Sequence, residues 1–416
     1  MIRKERLEKL GISIPEISIP GKDVNPEKWS VIACDQFSSE RSYWDEIAVE
    51  IDNAPSTLAM IIPECYLNDG NSEERVKRAN ESMKEYVDKG IMEELPPGFI
   101  LVERSTPNSE KRRGLILALD LEAYDYSEGS ISVIRPTEGT IVERLPPRMA
   151  VRREALLDLP HILILIDDPE NSVMNAADVS AVNTVYDFDL IKGGGHVRGQ
   201  FIPEEKSEKI ISALENLASE SDLLFAVGDG NHSLAAAKEI WLEKKADGAP
   251  SDHPARYALV EVENIYDPGL LFHPIHRVLF NVDTEDLTDY LKDALDPDVS
   301  GSGDGPDILN FILSGGKKFK WSIEVPEGRL AVEFLQEALD AYLNDHPEAE
   351  IDYIHGKASV EKIVNESDGR AGIILPDIDK HTFFKRIIET GSYPRKTFSI
   401  GEAEEKRYYL EARKLF

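Results

Sequence analysis

Leu223-Leu-Phe-Ala-Val-Gly-Asp-Gly-Asn-His-Ser-Leu-Ala-Ala-Ala-Lys-Glu-Ile-Trp241 joins an apolar run to a helical pattern through a tight turn flanked by glycines. Leu223 to Val227 is short and stops at Gly228, which predicts a buried strand. Ser233 to Lys245 carries strong helix formers and ends in lysines before Gly248, which predicts a helix. A turn from strand to helix aims backbone N–H groups and the positive helix end at one point, a setting that favours an anion such as phosphate. Gly228 and Gly230 let a ligand approach the backbone, while Asp229 and His232 add a carboxylate and a proton carrier. The alternative is a helix capped by Asn231 with His232 in its exposed first turn.

The rest of the chain narrows the setting of this turn. At 416 residues it fits one large α/β unit or two smaller ones. With 41% hydrophobic and 30% charged residues it has the make-up of a globular protein. Lys plus Arg number 47 against 78 Asp plus Glu, a net charge of −31, which repels nucleic-acid phosphates and anionic lipid. No nucleic-acid or membrane partner is therefore expected. Met1 to Leu10 is charged and lacks the apolar core of a secretory signal, so a cytoplasmic location is expected. Cys34 and Cys65 sit in or beside apolar runs and read as buried thiols rather than as a disulfide or zinc framework.

Strand-like runs fall at Ser30–Cys34, Ala59–Pro63, Phe99–Glu103, Gly114–Leu121, Ile131–Arg135, His161–Ile166, Leu223–Val227 and Tyr257–Ile265. Helical patterns occupy Glu73–Lys89, Glu204–Ser219 and Ser233–Lys245, but little helix lies between Phe99 and Ile166. The expected fold class is α/β with α+β character: a mixed sheet core with antiparallel parts and flanking helices, plus a smaller α/β lobe. Residues 1–280 are expected to form the core, 281–370 an appended or inserted lobe, and 371–416 a strand, a helix and a basic segment returning to the core. Residues 283–368 read as helix, helix, two strands, helix, strand, broken by the turn-rich stretch from Leu295 to Lys318.

In so acidic a chain, clustered cations mark places where an anion offsets their repulsion. Arg144 and Arg148 lie in a proline-rich stretch that reads largely as loop and suit bidentate anion recognition; Arg–Glu pairing on the surface is the alternative. Lys192-Gly-Gly-Gly-His196 offers a backbone cradle around Gly194 and Gly195 flanked by Lys192 and His196, with a plain hairpin tip as the alternative. Arg395 and Lys396 follow the last expected helix. A zinc motif is absent, so any metal would be magnesium carried by a nucleotide, with Asp229 and Asp168 as carboxylate ligands. Asp167 and Asp168 followed by Pro169 also suit an ordinary turn.

The order Arg135-Pro-Thr-Glu138, Val227-Gly-Asp229-Gly-Asn-His232, Asn264-Ile-Tyr-Asp-Pro-Gly269 with Pro274-Ile-His-Arg277, and Pro394-Arg-Lys-Thr397 resembles the domain-of-unknown-function 1015 family from Ser30 to Ser399. That family's D-G-H-H-R type turn is in turn similar to the phosphate-binding turn of the ParB and sulfiredoxin superfamily, which includes a free-serine kinase. The resemblance implies that Asp229, Gly230 and His232 sit against nucleotide phosphates. Asn231 stands for the first His and Ser233 for the Arg of that pattern, so the turn itself lacks the cation, which Arg144, Arg148, Lys192 or Lys396 could supply from elsewhere.

These readings lead to an expected phosphotransferase that uses ATP or ADP, with magnesium on the nucleotide, to phosphorylate a small hydroxylated metabolite such as serine. Asp229, Gly228, Gly230, Asn231 and His232 are assigned to phosphates and magnesium. Arg144, Arg148, Lys192, Gly194, Gly195, His196, Arg395 and Lys396 are assigned to anion contacts. Glu138, with Asp35 in reserve, is the expected base. A nucleotide-gated regulatory protein without turnover and a magnesium-dependent hydrolase using Asp167, Asp168 and Asp229 are the alternatives. Association of the chain with its own copies is left open.

Overall fold

The computed structural model describes residues 2–67, 69–299, 307–326 and 329–416. The chain divides into two compact units, Met1–Leu270 with Gly401–Phe416, and Leu271–Ile400.

The first unit is built on a nine-stranded mixed sheet. Its strands are β1 (Ile12–Ser13), β2 (Gly98–Thr106), β3 (Ser109–Asp120), β4 (Ile134–Pro136), β5 (Leu163–Ile166), β6 (Asn183–Asp189), β7 (His196–Pro203), β8 (Phe225–Asp229) and β9 (Tyr257–Asn264). They lie in the order β6-β7-β2-β3-β9-β5-β8-β4, with β1 against β3. Alternation along the strands loads both faces. Phe99, Leu101, Leu115 and Leu117 face a core shared with the helices Ser172–Ser180, Glu208–Glu220 and Asn231–Ala246. Ile100, Val102, Ile116 and Leu259 face a second core with Trp44 and Ile47 of the helix Arg41–Ile51 and with Tyr408 to Leu410. The fold class expected from sequence, a mixed sheet with antiparallel parts and flanking helices, is the one observed.

Two pairings position the candidate site. β8 is parallel to β4, which places the carboxyl ends of both strands side by side. It is antiparallel to β5, with Asp229 opposite Leu163, so the carboxyl end of β5 lies at the other end of β8.

Several local expectations change. The strand expected at Ala59–Pro63 gives way to a 3-10 turn over Thr57–Met60, because the Ser56 hydroxyl accepts from Leu58 N–H and the Thr57 hydroxyl donates to the Trp29 carbonyl. The stretch read as loop around Arg148 is a helix, Leu145–Arg153, whose prolines occupy the first turn, where no N–H is needed. Both cysteine residues keep part of their surface open, but the Cys34 thiol is enclosed beside Tyr409. Among the described residues no helix is long and apolar enough to cross a membrane.

In the second unit, β10 (Phe272–Phe280) pairs antiparallel with β13 (Glu350–His355), β14 (Ala371–Ile374) and β15 (Phe398–Ile400). β11 (Ile308–Leu313) pairs with β12 (Lys318–Ser322) and β14. The division therefore falls before β10, at Leu271, rather than at 281, because β10 spends its hydrogen bonds on later strands. For the same reason residues 371–400 stay in this unit, and only Gly401–Phe416 returns to the first. The elements over 283–368 run helix, two strands, helix, strand, helix. Within the turn-rich stretch, Ser300–Pro306 lies outside the described residues.

The returning segment is held hard. Tyr408–Tyr409 pairs with Val31–Ile32, and Arg413–Lys414 with Leu157–Asp158. The buried Arg104 guanidinium donates to the carbonyls of Gly194, Glu404, Glu405 and Lys406 at 2.6–3.3 Å. Arg104→Met keeps the bulk but leaves these carbonyls unmatched. It is expected to cost on the order of 3 kcal/mol, read as a lower urea midpoint for the first unit, and an unchanged midpoint would contradict the clamp.

Candidate functional site

The turn after β8 is made by Gly230, whose φ of 82° lies in the left-handed region and which stands at the N-cap of the helix Asn231–Ala246. A Cβ there would press on Ile162 at 3.1–3.2 Å, so both conformation and space favour glycine. The helix ladder starts with Leu234 N–H donating to the Gly230 carbonyl, and among the described residues no side chain caps the helix. Its positive end therefore opens at residues 230–233. Asn231 Oδ1 is buried without a hydrogen-bond partner among the described residues, and a half-turn of the amide puts its NH2 there instead.

Asp229 accepts from Gly230 N–H at 2.9 Å and pairs with Lys406 Nζ at 2.8 Å. Burial works to raise this carboxyl, but Lys406, the Gly230 N–H and His161 outweigh it and hold it below the usual carboxylate range. Glu138, half-buried, follows β4 beside the turn, where the Thr137 hydroxyl donates to the Val227 carbonyl at 2.6 Å. His232 Nε2 accepts from Ile141 N–H at 3.2 Å, so the ring ties the loop after Glu138 to the helix start.

Next to the turn opens a cleft of about 120 Å³. Asp35, Glu64, Arg148, His161, Ser233 and Tyr409 give it a polar end, and Met60, Ile62, Met83, Leu157 and Leu159 are among its apolar walls. Arg148 pairs with Glu64, and burial still raises the Glu64 carboxyl against that pull. His161 Nε2 lies 2.9 Å from Ser233 Oγ, and its Nδ1 3.0 Å from the Tyr409 hydroxyl. Burial lowers the His161 pKa, with Asp35 and Asp229 resisting. Burial pushes the Cys34 thiol beside Tyr409 up to about 12, so it stays protonated at neutral pH.

The structure thus brings together Asp35, Glu138, Arg148, Gly228, Asp229, Gly230, Asn231 and His232. Arg144 is exposed at the start of the helix Leu145–Arg153, its carbonyl accepting from Arg148. Lys192, Gly194, Gly195 and His196 lie at the β6–β7 hairpin, with β7 five strands from β8 in the sheet order. There Lys192 pairs with Glu46 and Glu50, and His196 sits between Asp187 and Asp189. The glycines serve close packing: a Cβ on Gly194 would strike the Tyr408 ring and one on Gly195 the Ser105 carbonyl. Their expected anion contacts are answered by the protein's own carboxylates and neighbours. Arg395 and Lys396 belong to the second unit, where the Lys396 carbonyl accepts from Arg277.

The pairing of Asp168 with Asp229 on one magnesium is overturned by topology. Asp168 follows the far end of antiparallel β5, and its carboxylate accepts from Ser172 Oγ and Val173 N–H. Asp167 accepts from the Tyr266 hydroxyl. The hydrolase site built from Asp167, Asp168 and Asp229 is not assembled. The residues that the sequence left unassigned, Lys406, His161, Tyr409 and Ser233, come from segments remote in the chain, apart from Ser233, which was visible in the turn itself.

A family model described as "Protein of unknown function (DUF1015)" matches residues 18–347. The chain belongs to the DUF1015 family. No curated protein matches this DUF1015 chain. Among solved structures it is similar to a free serine kinase in complex with AMP, at 12% identity and TM-score 0.40 over 72% of this chain and 92% of that one. A conserved hypothetical protein from Pyrococcus furiosus is 13% identical with TM-score 0.36 over 71% and 90%. SbnI with C-terminal truncation from Staphylococcus aureus is 10% identical with TM-score 0.37 over 69% and 82%.

His161 supplies a pH signature. Its folded pKa lies below its unfolded value, so the unfolded chain binds the proton first and stability is lost as pH falls through the unfolded value, near 6.5. His161→Gln should flatten the loss of stability between about pH 7 and pH 5, measured by urea unfolding at each pH. An identical slope in the variant would contradict the burial assigned to this ring.

Proposed function

We propose that the first unit is a phosphotransferase that moves the terminal phosphoryl group of ATP or ADP to the hydroxyl of a small metabolite, with serine the first candidate. The observation that carries this reading is the convergence at one turn of an uncapped helix N-terminus, the Asp229–Lys406 pair and the Glu138 carboxylate. Phosphoryl transfer asks the protein for oriented donors, a cation and one carboxylate near the attacking hydroxyl, and little covalent chemistry. The α-helix start and Gly230 would hold the phosphates, with Lys406 in the place of the Arg that the turn pattern lacks here. Arg148 stands in the adjoining cleft as a second cation, and Glu138, with Asp35 in reserve, accepts the hydroxyl proton. Asp229 offers one carboxylate to magnesium brought on the nucleotide, whose charge would offset that of the transferring group.

The test is a melting series with ATP and ADP, with and without magnesium, followed by a search for phosphorylated product in a pool of hydroxy amino acids and hydroxy acids. A ligand at 100 times its Kd stabilises the native state by about 2.7 kcal/mol. Glu138→Gln should keep that stabilisation while lowering turnover by roughly 10²–10⁴-fold. Absence of any nucleotide-dependent shift at millimolar concentration removes the proposal.

A further inference from the structure

In its Nδ1–H tautomer His161 keeps Nε2 bare, and the hydrogen bonds around the ring accommodate that form. The Tyr409 hydroxyl donates its proton to Cys34 Sγ at 3.0 Å, and its oxygen accepts from Cys34 N–H at 3.4 Å. That oxygen is then an acceptor for His161 Nδ1–H at 3.0 Å. Nε2 is left as a lone-pair nitrogen, and Ser233 Oγ–H donates to it at 2.9 Å. Tyr409 is itself buried and locked between Cys34 and the ring, so the imidazole is held in this tautomer from behind. A hydroxyl, a base within hydrogen-bond reach of it and a third group orienting the base are the parts of an activated nucleophile. Ser233 lies in the first turn of the helix that opens at Gly230 and also lines the cleft, so it faces both the anion-favouring helix end and the space beside it.

We propose that Ser233 carries the phosphoryl group covalently between donor and acceptor; the proposal rests on the phosphotransferase reading above. In the first half, Ser233 Oγ attacks the terminal phosphorus of the nucleotide and its proton passes to His161 Nε2. The bond from that phosphorus to the bridging oxygen breaks, and the shortened nucleotide leaves with the electron pair. In the second half, the acceptor hydroxyl attacks phosphoserine-233 and gives its proton to Glu138. The Oγ–P bond then breaks, and Oγ recovers its proton from His161. Tyr409 is a positioning residue in this scheme, since it touches only the imidazole.

The full-length protein is incubated with ATP or ADP and magnesium without acceptor, then quenched in acid and measured by intact mass and peptide mapping. The expected result is a gain of one phosphoryl group, stable in acid and mapped to Ser233, together with exchange of label between donor and product nucleotides in the absence of acceptor. Ser233→Ala should lose both signals while retaining the nucleotide-induced melting shift, and Tyr409→Phe should slow formation of the phosphoenzyme without abolishing it. Acceptor phosphorylation with no phosphoenzyme and no exchange would overturn the covalent step and leave the phosphotransferase reading standing. An acid-labile adduct on His161 would overturn it too. Failure of nucleotide to bind at all would remove both proposals.

Discussion

The Lys406 ammonium lies 2.8 Å from the Asp229 carboxylate, and the candidate site depends on that ion pair. A helix N-terminus alone attracts anions weakly, and a carboxylate at the same turn opposes that attraction. Lys406 offsets the carboxylate and brings a cation to the turn. Removing one partner would leave the other partly buried without its counter-charge, a costlier state than never having had the pair.

The cation arrives because the chain end returns to the first unit. Gly401–Phe416 crosses from the Arg104 clamp near the β6–β7 hairpin to the site, supplying Tyr408 to the packing of Gly194, Lys406 to Asp229 and Tyr409 to His161. In the same stretch Arg407 pairs with Glu411 and with Glu261 of β9, so buried ion pairs fix its register. Stability and site geometry are thus coupled: what anchors the segment also sets where its lysine and tyrosine point.

The turn was legible because everything that makes it is local. An apolar run, two glycines and a run of helix formers are consecutive, and the strand and helix both form, though two residues off the pattern at the turn: Phe225–Asp229 against the expected Leu223–Val227, and Asn231–Ala246 against Ser233–Lys245. Glu138 joined it through a parallel pairing that the sequence did not disclose. Lys406 was not legible, since it reaches Asp229 across 177 positions, and Tyr409 reaches His161 across 248. Strand direction was equally hidden: β5 carries Asp168 to the far end of the sheet, which no residue pattern announced. Lys192 to His196 misled for a different reason. A run of glycines reads alike whether it cradles an anion or admits a tyrosine ring, and only the neighbours distinguish the two.

The central claim is that the backbone at Gly230 receives the negatively charged part of a nucleotide. Selective 15N-glycine labelling reports on the 27 glycines of the chain, and titration with a non-hydrolysable ATP analogue and magnesium reads the site directly. The account predicts saturating shifts at the Gly228 and Gly230 amides with Gly193, Gly194 and Gly195 unmoved. Shifts confined to the Gly193–Gly195 amides, or none at Gly230 at saturation, would contradict it.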